Sequence, residues 1–128
     1  MIPRLPALLL ALCVVSGGAH ARTDCRAIDG DTITCGKIHI RIVNVDTPEL
    51  GAHARCPAEA ELAERARRFT AEQLAGSKVE IRPDPKRPHD RYGRTLARVT
   101  VDGIDLGEAL VAAGLAREWD GRRRPWCR

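Results

Sequence analysis

Three short β-branched stretches, a helix, two further strands and a second helix, in that order, predict an α+β, mostly β domain. The expected fold is a five-stranded Greek-key barrel of the OB type with two packed helices. Two observations carry that order: Gly30 and Gly36 punctuate the β-rich first half, and two longer stretches bear helix start and stop signals. Such a barrel hosts many chemistries, so function must be argued from side chains.

The chain has 128 residues, and its start reads as a segment to be removed. Met1 to Ala21 carries one early charge (Arg4), an apolar run from Leu5 to Val15, and small residues ending in Ala19-His20-Ala21. That is the pattern of a secretory signal peptide cleaved after Ala21, which places the protein in the periplasm or the medium. Leu12 before Cys13 is not the small residue that a lipoprotein cleavage site wants. Removing those 21 of the 128 residues leaves 107, enough for one domain, residues 22–128, and a modest core.

Cys25–Asp29, Asp31–Cys35 and Lys37–Asp46 read as strands. In the third, Ile38, Ile40 and Ile42 alternate with Lys37, His39 and Arg41, a half-buried strand, until Ile42-Val43-Asn44-Val45 breaks the alternation and predicts a bulge or bend. Pro57–Ala75 is helical: Pro57 suits the first turn, Glu59 and Glu61 favour the positive end of the dipole, and Gly76 stops it. Leu62, Ala66, Phe69, Gln73 and Leu74 fall near one face, with Glu61–Arg65 and Glu64–Arg68 as outer i,i+4 pairs. Val79–Arg82 and Thr95–Val101 are the last strands, separated by a loop marked by Pro83, Pro85 and Pro88. After a turn at Asp102-Gly103, a second helix opens at Asp105 with Glu108 in a capping-box arrangement and stops at Gly114. The tail from Arg117 is basic and irregular.

Composition excludes several classes. No apolar run after Val15 approaches the roughly 20 residues of a membrane helix. Phe69, Tyr92, Trp119 and Trp126 are too few for an extended base-stacking surface. The leader holds one of the 21 basic residues and none of the 17 acidic ones, so the remainder carries a net charge of +3. That value permits a polyanionic partner without requiring one. The Arg122-Arg123-Arg124 run and Arg128 invite a phosphate-tracking role, but a solvated tail is the first reading.

Outside the leader lie four cysteines, Cys25, Cys35, Cys56 and Cys127, and an even count in a small exported domain points to disulfides. If Ile28 faces Thr32 across the Asp29-Gly30-Asp31 turn, then Cys25 faces Cys35, and Cys56 is left for Cys127. Other pairings stay open, as does a metal site using His53 and Cys56, which lacks the paired short spacings of such sites.

No serine-hydrolase signature, phosphate-binding Walker loop, zinc-protease motif or dinucleotide fingerprint is present. Instead, carboxylates and arginines cluster at element ends: Asp29 to Thr32, Asp46 to Glu49, and Asp90 to Arg94. Singly, each suits an ordinary turn or strand end. Together they fit one task. Asp31, Asp46 and the Thr47 carbonyl are hard oxygen donors suited to Ca²⁺ or Mg²⁺. Glu49 lies close enough in sequence to act as general base on a nearby water, and Arg41 and Arg94 have forked donors matching a phosphate. Arg41 and Asp46 share a face only if the strand breaks between them.

Ala27-Ile28-Asp29-Gly30-Asp31-Thr32, Ile40-Arg41, Val45-Asp46-Thr47-Pro48-Glu49 and Asp90-Arg91-Tyr92-Gly93-Arg94 with Leu96-Ala97 come in order along the chain. With Glu108-Ala109-Leu110-Val111 and Gly114-Leu115-Ala116, this series resembles the thermonuclease (staphylococcal nuclease-like) family over about residues 25 to 117. The resemblance implies an OB-fold, Ca²⁺-dependent phosphodiesterase acting on DNA and RNA with little sequence preference. It would leave 3′-phosphate products, because the bond to the 5′ oxygen is cut. It implies calcium held by Asp31, Asp46 and the Thr47 carbonyl, catalysis by Arg41, Glu49 and Arg94, and Tyr92 near the phosphate. A monomer without membrane contact is expected.

Three departures stand out. The segment between Glu49 and the first helix is short, no helix follows Leu115, and the four cysteines lie outside the minimal motif. The family's tyrosine-rich segment is missing as well; Trp119 or Trp126 is left either to stack a base or to cap the core. Two other readings compete: a non-catalytic OB-type module that binds single-stranded nucleic acid, and a disulfide-stapled structural domain. The presence of Asp31, Arg41, Asp46, Glu49 and Arg94 together favours the enzyme.

Overall fold

A computed structural model describes residues 20–22, 24–75 and 78–128. Along the chain run β1 (His20–Arg22), β2 (Cys25–Ala27), β3 (Thr32–Cys35), β4 (Ile38–Ile42), β5 (Val45–Asp46) and a 3₁₀ turn (Gly51–His53). Then follow α1 (Pro57–Leu74), β6 (Val79–Pro83), β7 (Thr95–Val101), β8 (Ile104–Asp105), α2 (Leu106–Ala112) and β9 (Arg117–Glu118). The expected signal peptide lies outside the described residues up to position 19. His20 and Ala21 pair with Ile81 and Glu80 in β6, so cleavage after Ala21 would leave Arg22 alone of β1.

The sheet is a curled, mixed half-barrel of the OB type in the order β1-β6-β7-β4-β3-β2, with β8 attached to β7. The five expected strands are β2, β3, β4, β6 and β7; β1 and β8 extend the sheet, and β5 pairs separately with β9. The hairpin register is the one that the turn predicts, with Cys25 opposite Cys35 and Ala27 opposite Ile33. β4 runs parallel to β7, Arg41 opposite Leu96, and every other pairing among the described strands is antiparallel.

Ile33, Ile40, Ile42, Val45, Val79, Val99, Leu106 and Leu110 are fully buried between sheet and helices. Each contributes roughly 1.5–3 kcal/mol by burial, so this cluster outweighs any surface ion pair. Ile38 departs from its expected place: at the first position of β4, beside the Gly36-Lys37 turn, it is exposed. On α1 the closed positions are Glu59, Ala63, Ala66, Thr70 and Leu74, with Leu62 and Phe69 half-buried against the core. Glu64 bonds Arg67 rather than Arg68, and no Glu61–Arg65 pair forms among the described residues. Gly76, the expected stop of α1, lies outside the described residues.

α2 begins as expected, with the Asp105 carboxylate accepting from the Glu108 N–H at 2.9 Å. It ends at Gly114, whose φ of 72° lets Leu115 N–H reach Leu110 O at 3.0 Å and Gly114 N–H reach Val111 O at 3.0 Å.

Disulfides join Cys25 to Cys35 and Cys56 to Cys127, spanning 10 and 71 residues. In the chain-entropy account these are worth about 3 and about 4 kcal/mol. The second corrects the picture of the tail. Arg117 and Glu118 form β9, the Arg117 guanidinium donates to Arg124 O at 3.2 Å and Pro125 O at 3.0 Å, and it stacks 3.7 Å over the Trp126 ring. The C-terminus is exposed at residues 121–125, as a solvated tail would be, but it is fastened as an arm rather than free.

Candidate active site

The site begins at the β2–β3 turn. Thr32 O accepts from Ile28 N–H at 2.9 Å and Asp29 N–H at 3.2 Å, while the Asp29 carboxylate accepts from Asp31 N–H at 3.0 Å. Asp29 therefore serves the turn, as its dipeptide with Gly30 predicts. A Cβ on Gly30 would stand 2.8 Å from Ala66 Cβ and 2.8 Å from Thr47 Cγ2, so only glycine allows the turn to press on α1. Buried Thr70 of α1 donates to Gly30 O at 2.8 Å. Thus a helix anchors the turn that presents Asp31.

Asp31 is buried, and its Oδ2 accepts from Thr47 N–H at 3.1 Å and lies 3.3 Å from Arg41 Nη2. The same Arg41 nitrogen is 3.8 Å from Asp46 Oδ1. The meeting of Arg41 and Asp46 depends on the break predicted between them: Val43 and Asn44 form a turn, so β4 and β5 are separate strands. Arg41 Nη1 donates to Val45 O at 2.8 Å and to Ile42 O, which ties the guanidinium across that turn. Arg41 is thus the counter-ion of a buried acid pair, with both terminal nitrogens engaged inward.

Glu49 lies beyond Thr47, at the head of a loop held by a residue that the motifs did not identify. Buried Glu59 accepts from Glu49 N–H at 3.3 Å through Oε1 and from Arg55 N–H at 2.7 Å through Oε2. The Glu49 carboxylate pairs with Arg123 of the C-terminal arm. Burial works against the Arg123 charge; Glu49, then Asp46 and Asp31, outweigh it and hold the guanidinium protonated above its usual value.

On the third motif, Asp90 organises the turn. Its Oδ1 accepts from Tyr92 N–H at 2.9 Å and Arg94 N–H at 3.0 Å, and its Oδ2 from Arg94 Nε at 2.7 Å. Tyr92 is exposed, its hydroxyl accepting from Arg91 at 2.7 Å, with the Arg94 guanidinium 5.8 Å from its ring centre.

Two clefts adjoin at this place. One, about 480 Å³, is lined by Asp46, Glu49, Glu59, Arg123 and Trp126 among others. The other, about 300 Å³, is lined by Arg41, Tyr92, Arg94, Trp119 and again Arg123. The structure brings Asp31, Arg41, Asp46 and Thr47 into direct contact, and Glu49 beside Asp46. Arg94 and Tyr92 line the neighbouring hollow with Arg41 rather than touching the acids. Neither tryptophan joins the core cluster; both face these clefts.

The donor set suits a hard divalent cation: two buried carboxylates, and buried Thr47, whose N–H bonds one of them and whose carbonyl is a further hard donor. The Asp46 carboxyl is pushed above its ordinary value, first by burial and then by the Asp31 charge, with Arg123 and Arg41 pulling the other way. Added positive charge would relieve that repulsion. The trio Cys56, Glu59 and Cys127, whose ligand atoms lie within 4.8 Å of one another, offers no such place. Both sulfurs are spent in the disulfide, which also closes the rival His53–Cys56 reading.

Sequence reasoning missed Glu59, Asp90 and Arg123 as organisers. The Arg123 signal was present: with Cys56 paired to Cys127, a residue four positions back is held within about 14 Å, and Glu49 precedes Cys56 by only seven residues.

Residues 39–125 match the family described as Staphylococcal nuclease homologue. The chain is 40% identical over 96 residues to a thermonuclease of Staphylococcus hyicus, covering 72% of this chain and 55% of that protein. It is 38% identical over 96 residues to Endonuclease YncB of Bacillus subtilis (strain 168), covering 72% of this chain and 44% of that protein. The chain spans about half the length of these relatives. On this match and this fold, the chain belongs to the family of staphylococcal nuclease homologues.

Proposed function

We propose that this chain is a calcium-dependent nuclease that hydrolyses phosphodiester bonds of DNA and RNA with little sequence preference and leaves 3′-phosphates. One observation carries the reading: Asp31, Arg41, Asp46 and Thr47 converge, and Glu49 borders the same cleft as Asp46. The names of the relatives, thermonuclease and endonuclease, support it.

In this reading Asp31, Asp46 and the Thr47 carbonyl hold calcium. When bound, the ion supplies positive charge that stabilises the phosphorane-like transition state. Glu49 takes a proton from the attacking water as its oxygen bonds to phosphorus. The bond from phosphorus to the 5′ oxygen breaks, and that oxygen leaves as a hydroxyl after protonation from solvent. Arg94, with Asp90 on its Nε, has its terminal nitrogens to offer the equatorial oxygens, and Arg41, which lines the same hollow and pairs with the acids, is the second catalytic arginine. Tyr92 lies beside the phosphate, and exposed Trp119 offers a stacking face for a base.

Export to an oxidising compartment goes with this reading, supported by two disulfides in a small domain. Monomeric action is proposed as well. Among the described residues no helix is long and apolar enough to cross a membrane.

The test is incubation of the purified protein with single-stranded DNA, with calcium or with chelator. Calcium-dependent degradation to 3′-phosphate ends is expected. Salt-sensitive retention of the DNA without cleavage would establish the non-catalytic binding module instead.

A further inference from the structure

We propose that Arg123 is a substrate-phosphate contact of this site, delivered by the C-terminal arm; the inference rests on the nuclease reading above and assigns it a third arginine. Arg123 is the residue shared by the linings of both clefts, that of Asp46 and Glu49 and that of Arg41, Tyr92 and Arg94. A phosphodiester lying between the base Glu49 and the fork of Arg94 passes this guanidinium.

Three features set Arg123 apart from an incidental surface cation. Its side chain is 64% exposed, and an ion pair of that exposure contributes about 0–1 kcal/mol, so the Glu49 contact does little for the fold. The backbone around it is nonetheless constrained on both sides. Upstream, Arg117 is paired with Asp46 in the β5–β9 ladder, and its guanidinium holds the carbonyls of Arg124 and Pro125. Downstream, Cys127 is bonded to Cys56 at the start of α1. Arg124 is occupied by Asp120, whereas Arg123 bonds through one terminal nitrogen only among the described residues.

Chemistry points the same way. Arg41, the arginine nearest the acids, has both terminal nitrogens committed to Ile42 O, Val45 O, Asp31 and Asp46. Although it lines the cleft of Tyr92 and Arg94, its forked donors are shared with these inner groups. Arg123 lines the cleft of Asp46 and Glu49, and a phosphate entering that cleft competes with Glu49 for its bonds. Such an exchange would free the Glu49 carboxylate as the phosphate arrives.

The experiment compares the full chain with Arg123→Gln, Arg123→Lys and Arg122→Gln, Arg122 lining neither cleft. Affinity for a fluorescein-labelled single-stranded oligodeoxynucleotide is measured in chelator over a range of salt, and kcat and KM are measured with calcium. Arg123→Gln is expected to weaken binding roughly ten-fold and to lower the slope of log K against log salt by about 0.7, one phosphate contact on a single strand. Arg123→Lys restores the slope, and Arg122→Gln changes neither quantity. Unaltered binding in Arg123→Gln, an equal loss in Arg122→Gln, or faster cleavage in Arg123→Gln would each overturn the proposal, the last by showing a brake on Glu49. Because binding is read without cleavage, an inactive wild type whose affinity still depends on Arg123 refutes the nuclease reading and retains the contact.

Discussion

Asp31, Arg41, Asp46 and Thr47 sit on or beside the sheet and are nearly closed to water, whereas Glu49, Tyr92, Arg94 and Arg123 reach the same clefts from loops and an arm. The inner group is held by strand register, by the Gly30–Thr70 anchor and by the bonds of Arg41 across the Val43-Asn44 turn. The rim is held by single carboxylates and a disulfide: Asp90 for Arg94, Glu59 for the Glu49 loop, Cys56–Cys127 for Arg123. Removing an inner charge strands a buried acid pair; on the rim the Glu49–Arg123 pair is exposed, and Asp90, only 8% exposed in its side chain, keeps two backbone donors when Arg94 goes. Inner and rim substitutions therefore separate stability from turnover.

The largest effect tests the rim. Glu49→Gln and Arg94→Ala are each expected to lower kcat by about 10²–10⁴. Their melting temperatures should stay within a few degrees of wild type, because the Glu49–Arg123 pair is solvent-exposed and Asp90 keeps its two backbone donors. Calcium-dependent cleavage assays beside thermal melts read both quantities. Near-normal turnover in either variant removes that residue from the mechanism, and a collapsed fold would dissolve the distinction between rim and interior.

Arg41→Met makes the converse case. It leaves Asp31 and Asp46 side by side without their shared guanidinium, in side chains only 11% and 8% exposed. Breaking a buried pair in this manner costs about 3 kcal/mol or more, far beyond what Arg94→Ala should cost. Denaturant melts in chelator should show that loss, and calcium should restore part of it by supplying the missing charge. A variant as stable as wild type without calcium would mean that the acids do not need Arg41.

This division also marks what could be read from the chain alone. The hairpin register, the Cys25–Cys35 pairing and the α2 caps follow from local rules, since turn length and cap residues act over a few positions. The break after Ile42 was legible because an alternating pattern cannot stay in phase across Ile42-Val43-Asn44-Val45. Glu59 was not, because a glutamate in a first helical turn reads as a dipole partner, and only the fold brings the Glu49 and Arg55 amides to it. The place of Arg123 was not legible either, because a run of arginines with no periodicity ordinarily remains solvated and does not say which member meets Glu49. The ladder between β5 and β9 is a long-range pairing of two residues each, too short to leave a sequence pattern.

The smallest effect probes the interior through pH. The Asp29 carboxyl is pushed up from 3.8 to about 7, first by burial and then by the Asp31 charge. The native chain therefore keeps a proton that the unfolded chain releases between about pH 4 and about pH 7, so stability is greatest at the acid end and falls as pH rises through that window. Asp46, shifted in the same direction, adds to the slope. Melting temperatures in chelator should decline from about pH 4.5 to about pH 7.5, and Asp29→Asn should flatten the decline. Calcium should lift the alkaline end most, since a cation and a proton compete for one carboxylate cluster. Arg94→Ala should leave this decline in place and change only the contribution of Asp90, whose carboxyl is pushed up by burial and held below its usual value by the Arg94 and Tyr92 bonds. A slope that persists in Asp29→Asn, or that Arg94→Ala abolishes, would place the responsible proton outside the acid cluster and remove the electrostatic ground for separating interior from rim.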